Sequence, residues 1–168
     1  MSIALDARRS GAVVSNHAAE VRVVKPLQFD DHTPQTNGMR RLAAISHFLA
    51  GSELLWAGVM LAEPSTTSSV HHHGPLETVV YVLSGTSSVK WGSRLEHEVD
   101  LEPGDFLLIP PYMPHQEINQ SPDQPTMWVV VRSGQEAVIV HLAKTHDGEY
   151  VGTDADQSQR AARMATIN

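Results

Sequence analysis

From Val21 onward the chain is a succession of short apolar runs cut by turn-forming clusters. The runs are "VRVVK", "GMRRLAAI", "LLWAGVML", "TVVYVL", "SVKWG", "HEVDL", "DFLLIP", "TMWVVV" and "AVIVHL". Their length and two-residue alternation suit strands, and a helical repeat is hard to find. Between Leu101 and Phe106 the tetrapeptide "EPGD" sets Pro103 and Gly104 at the centre of a type II turn, since proline fixes a negative φ and glycine accepts a positive one. "LSGTSS" and "WGS" predict two further hairpin turns, so residues 78–109 read as a meander. Pro110, Pro111 and Pro114 then force an extended path into His115, because proline cannot donate to an interior ladder. The pattern predicts an all-β barrel or sandwich over residues 21–142. Residues 1–20 form an irregular N-terminal arm, with "AEVRVVK" as a candidate outer strand. Residues 143–168 turn polar and small, which reads as a mobile C-terminal tail or one short helix near "DQSQRAARM".

Composition narrows the function classes. At 168 residues and 41% hydrophobic content, one domain with its own core is expected. The net charge of −7 opposes binding to nucleic acid or to an anionic membrane surface. The absence of cysteine removes disulfides, thiolate nucleophiles and cysteine zinc sites, so any metal must be held by nitrogen and oxygen. The opening "MSIALDARRSGAVV" lacks the apolar core of a signal peptide and no run approaches a membrane span, so the expected location is the cytoplasm. No catalytic serine triad, phosphate loop or dinucleotide fingerprint is present.

The candidate chemistry lies in "SSVHHHGPLETVVYVLSG" and "GDFLLIPPYMPHQEIN". In a strand, residues two apart share a face, so His71 and His73 can meet at one point while His72 points away and its replacement is expected to change little. His115, after a tight turn and a proline-stiffened segment, is a third rigidly placed candidate. Glu117 falls on the face of His115, and is read as an exposed strand charge in preference to a proton shuttle. His47, His97 and His141 are assigned to structure or solvent, and Gln116 to the surface. Trp56, Trp91 and Trp128 are expected in the core, with Trp128, Tyr112, Met60 and Met113 as candidates to face the pocket.

These two segments resemble the paired motifs of the cupins, small metal-binding β-barrels. The second motif, G-x5-P-x-G-x2-H-x3-N, runs through Gly104, Pro110, Tyr112, His115 and Asn119, with tyrosine in place of glycine. In the first, G-x5-H-x-H-x3/4-E-x6-G, Ser65 replaces the opening glycine and the histidines fall on His71 and His73. Counting forward from His73 puts the carboxylate at Glu77, whereas counting back from Gly85 gives Thr78, and both registers stay open. The resemblance implies a double-stranded β-helix, or jelly-roll, barrel with His71, His73, His115 and Glu77 around a divalent ion (Fe, Mn, Zn, Ni or Cu). Glu77 would be a ligand or a general base. It also implies a small oxygen-rich substrate and a dioxygenase as the first expectation. A redox-neutral cyclase, isomerase or lyase comes second and a non-catalytic binding barrel third. Exposed edge strands such as the one near Val21 suggest a homodimer.

Overall fold

The computed structural model describes residues 20–33, 35–36, 38–135, 138–152 and 156. The strands are β1 (Met39–Ile45), β2 (Trp56–Ala62), β3 (Thr66–Thr67), β4 (His71–His72), β5 (Thr78–Ser84), β6 (Ser87–Trp91) and β7 (His97–Leu101). They continue as β8 (Phe106–Ile109), β9 (His115–Asn119), β10 (Thr126–Arg132), β11 (Val140–His141), β12 (Ala143–Lys144) and β13 (Tyr150–Val151). A single helical turn, α1 (His47–Ala50), is capped by the Ser46 hydroxyl and ends at Gly51 in the left-handed region.

Two antiparallel sheets form the barrel. One has the order β1-β2-β10-β5-β8, the other β11-β4-β9-β6-β7 with β3 beside β9. The meander expected over 78–109 does not form: β6 and β7 pair as a hairpin in one sheet, β5 and β8 pair with each other in the other, and the turns after β5 and β7 carry the chain between sheets. The turn at Gly104 (φ +103°) closes with an Asp105 N–H bond to the Glu102 carbonyl at 3.0 Å.

The five-stranded sheet keeps strict alternation. Trp56, Met60 and Ala62 of β2, Thr126, Trp128, Val130 and Arg132 of β10, and Thr78, Val80 and Val82 of β5 are buried, with their neighbours only partly so. Register stacks these side chains in rows: Trp128 lies opposite both Met60 and Val82, and Arg132 opposite Trp56 and Thr78. Burial of each large apolar side chain contributes roughly 1.5–3 kcal/mol. At Gly58 an added Cβ would collide with the Leu42 carbonyl and the Trp56 indole, so only glycine fits the row between Trp56 and Met60.

Two further expectations need correction. Among the described residues the stretch from Val21 pairs with no strand, and Val21 and Val23 are 96% and 66% exposed. The first part of the expected tail folds back instead, with β12 and β13 paired as a hairpin tied to the barrel by a Tyr150 N–H bond to the Ser93 carbonyl. The arm before Glu20 and the helix near "DQSQRAARM" lie outside the described residues, Asp156 excepted.

Candidate metal centre

The chain folds its two motifs against each other through one rung: His71 of β4 is paired directly with His115 of β9. The backbone around both is fixed by positive-φ positions where the family pattern has glycine. Ser65 (φ +55°) and Tyr112 (φ +57°) hold the left-handed conformation despite carrying side chains, at a cost of about 1 kcal/mol or more each. Tyr112 offsets this with a 2.8 Å N–H bond to the Gly74 carbonyl, burial, and an edge-on contact with His72.

His71, His73, His115 and Glu117 converge inside the barrel, all buried, with one ligand atom from each within 4.8 Å of every other. The ring centroids of His71 and His115 are 4.4 Å apart, and His73 lies 4.7 Å from His115 and 5.2 Å from His71. Hydrogen bonds fix their tautomers. His71 Nδ1–H donates to the Ser69 carbonyl at 2.9 Å and His115 Nδ1–H to the Met113 carbonyl at 2.8 Å, which leaves each Nε2 as a bare lone pair. Those two Nε2 atoms are buried with no hydrogen-bond partner, and they face Glu117 at 3.8 and 3.7 Å. His73 Nε2 accepts from the Arg132 guanidinium at 3.2 Å, so its Nδ1–H donates to Thr78 Oγ1 at 2.8 Å.

Electrostatics favour the same protonation states. Burial pushes His71 down to about 4, with the neighbouring His115 adding to the shift and Glu117 opposing it. Burial, then the Arg132 charge, holds His73 well below the usual imidazole range. Glu117 is fully enclosed, and burial alone would raise its pKa. The electrostatic pull of His71 and then of His115 outweighs that, so the carboxyl stays well below its ordinary range. Neutral imidazoles beside an ionised carboxylate are the donor set that a divalent ion takes. Donor atoms about 2 Å from a shared ion stand about 3–4 Å apart, which matches the spacing here. The residues therefore fit the ion.

Glu77 is not among them. Its side chain is exposed and its backbone is tied to Ser133, while the neighbouring Thr78 is the inward residue, as the alternation Thr78, Val80, Val82 requires. The carboxylate comes instead from Glu117, on the strand of His115. His72 points away from the cluster, yet it is 2% exposed: its Nδ1 accepts the Gly74 N–H at 2.9 Å and its Nε2–H donates to Asp156 at 2.8 Å. It is a buried tether and not a free ring. His47 and His97 are exposed, His97 stacking on Trp91, and the exposed His141 meets Ser69 Oγ. Arg41 and Arg132, which the sequence reading passed over, are 3% and 2% exposed on inner faces of β1 and β10. The alternation through Trp128 and Val130 was the signal that places Arg132 inside.

A cavity of about 250 Å³ leads to the cluster, lined by Val89, Trp91, Leu107, Ile109, Met113 and His115. Trp91 and Met113 line it, whereas Trp128 and Met60 are core.

Among solved structures, the chain is similar to the polyketide cyclase RemF of Streptomyces resistomycificus (17% identity, 77% of this chain and 90% of that one, TM-score 0.62). It is also similar to KdgF of a Halomonas species (17%, 70% and 96%, 0.55) and to a double-stranded β-helix protein of Klebsiella pneumoniae (22%, 68% and 94%, 0.54). At these identities the likeness is one of fold. No curated protein matches the chain. Residues 58–132, which hold both motifs and all four clustered side chains, match the cupin domain model.

Proposed function

We propose that the chain is a mononuclear metal-dependent enzyme acting on a small oxygen-rich organic molecule, with His71, His73, His115 and Glu117 holding a divalent ion. The observation that carries this reading is the pair of buried imidazole Nε2 atoms, unpartnered, aimed at a buried carboxylate. A bound ion would supply Lewis-acid polarisation of the substrate's oxygens and, if it is iron, manganese or copper, access to oxygen chemistry. The protein's own part is to hold three rings through their Nδ1 bonds, to balance the cation with Glu117, and to exclude water with the apolar cavity. Three imidazoles plus one carboxylate extend the arrangement that non-haem iron enzymes use, which supports a dioxygenase as the first assignment.

The second reading is a redox-neutral cyclase, isomerase or lyase. It is favoured by Glu117 itself, an ionised carboxylate 3.7–3.8 Å from two imidazoles and so available to accept a proton. Oxygen uptake on catechols, diketones and hydroxy acids separates the two: stoichiometric consumption supports the dioxygenase, and substrate loss in anaerobic buffer supports the alternative. Metal content by mass spectrometry tests both. Tag-free protein should carry near-stoichiometric ion, and His115→Ala should lose it while staying folded; stoichiometric metal in that variant would sink the assignment. A homodimer is supported by the edge strand β8, whose Phe106 and Leu108 are 74% and 57% exposed.

A further inference from the structure

Arg132 ends the inner row of β10, and its guanidinium is held in a way that the metal centre alone does not explain. The plane lies over the Trp56 ring, 5.6 Å from the centroid, and NH2 donates to His73 Nε2. The other two nitrogens, Nε and NH1, are buried without a hydrogen-bond partner. Among the described residues no carboxylate lies within ion-pair distance of it. Coordination of an ion by His73 Nε2 would also remove the acceptor that NH2 now uses. All the guanidinium nitrogens would then be without a hydrogen-bond partner among the described residues.

Charge counting points the same way. Among the described residues, Glu117 is the carboxylate buried beside the cluster, and it lies within 4 Å of His71 and His115 but not of Arg132. A divalent ion beside the Arg132 guanidinium would add positive charge that an anionic substrate group balances. Buried charge in excess is stable only when a partner of opposite sign completes the site.

We propose that Arg132 anchors a carboxylate of the substrate through the N–H donors that the protein leaves unpartnered. This deepens the metal-enzyme reading above and rests on it only for the placement of the substrate's second oxygen function, beside the histidine cluster. A guanidinium offers paired, planar donors that match the two oxygens of a carboxylate. The cavity adds the remaining requirement: it reaches His115, whose ring is 4.7 Å from that of His73, and its lining of Leu107, Ile109 and Met113 takes a hydrocarbon body. The ligand class is a small carboxylic acid with an oxygen next to the carboxylate and an apolar remainder.

The test is calorimetric titration of the full chain, metal-loaded, with pyruvate, lactate, mandelate and salicylate, each against its neutral amide. At least one acid should bind about tenfold or more tightly than its amide, the difference expected for a charge-assisted contact. Arg132→Gln should abolish that preference and Arg132→Lys should retain part of it, with metal content measured in each. If no acid outbinds its amide, or if the preference survives Arg132→Gln, the anchor is wrong even where the metal is retained. Should Arg132→Gln fail to fold by circular dichroism, the wild-type acid-to-amide ratio and Arg132→Lys decide. Wild-type protein that holds no metal would remove the metal reading, whereas an acid preference in that same protein would still support the anchor.

Discussion

The two sheets use the same alternation to opposite ends. In the five-stranded sheet the inward row from Met60 through Trp128 to Val82 is apolar, flanked on the same inner face by Arg41, Arg132, Thr78 and Thr126, and the outward residues are half-exposed. In β9 of the other sheet the inward residues are His115, Glu117 and Asn119, while Gln116 and Ile118 face out. Every polar group on that inward row has a local reason to be there. Asn119 is the clearest: its Nδ2 donates to the carbonyls of Ala62, Glu63 and Gln124, and its Oδ1 accepts from the Ser121 N–H. One sheet stabilises the barrel by removing apolar surface from water, and the other uses the dry interior so made to hold ionisable groups in fixed states.

That division can be broken most directly from the apolar side. Trp128→Ala should cost about 3–5 kcal/mol of stability in urea unfolding, yet leave metal per folded molecule unchanged. A loss of metal at wild-type stability would show that the two faces are not separable. The next largest effect comes from the polar side, through pH. Because His71 sits near 4 when folded and near 6.5 when unfolded, the unfolded chain alone takes up the proton between those values. Metal-free protein should therefore keep its full His71-linked stability above pH 6.5 and lose up to about 3 kcal/mol as pH falls towards 4, with His73 and Glu117 acting in the same direction. Urea midpoints at intervals from pH 7 to 4 measure this, and a flat profile would contradict neutral, buried imidazoles.

Smaller effects sharpen the boundary of the site. His72→Ala should cost about 1–2 kcal/mol, since it strands the Gly74 N–H and removes the contact with Asp156, and should leave metal affinity intact. Glu77→Gln should change stability by less than about 0.5 kcal/mol and metal content not at all, because the side chain is exposed. A drop in metal content in that variant would return Glu77 to the centre.

The contrast also explains what was legible in the sequence. "TVVYVL" and "TMWVVV" announce their strands because an apolar interior and a polar exterior is the ordinary arrangement. "HQEIN" inverts it, so the lone apolar Ile118 pointed the wrong way and Glu117 was read as a surface charge. Glu77 attracted attention through motif counting, which cannot tell a residue's face. Alternation can, and it had already put Thr78 inside. Arg132 was hidden for a related reason: an arginine after three valines looks like the polar end of a strand. His72 misled because direction was taken for exposure, and the cover over its back, Tyr112 and Asp156, comes from segments remote in sequence.

The single rung between His71 and His115 bears on how the chain reaches this state. Short ladders such as β4 hold their register weakly, and the loop they close is long, so the entropy of bringing its ends together must be met before neighbouring strands can help. In a chain with no cysteine, an ion shared by those two rings would act during folding as a disulfide does elsewhere, clamping the loop early and rejecting every pairing in which the rings fail to meet.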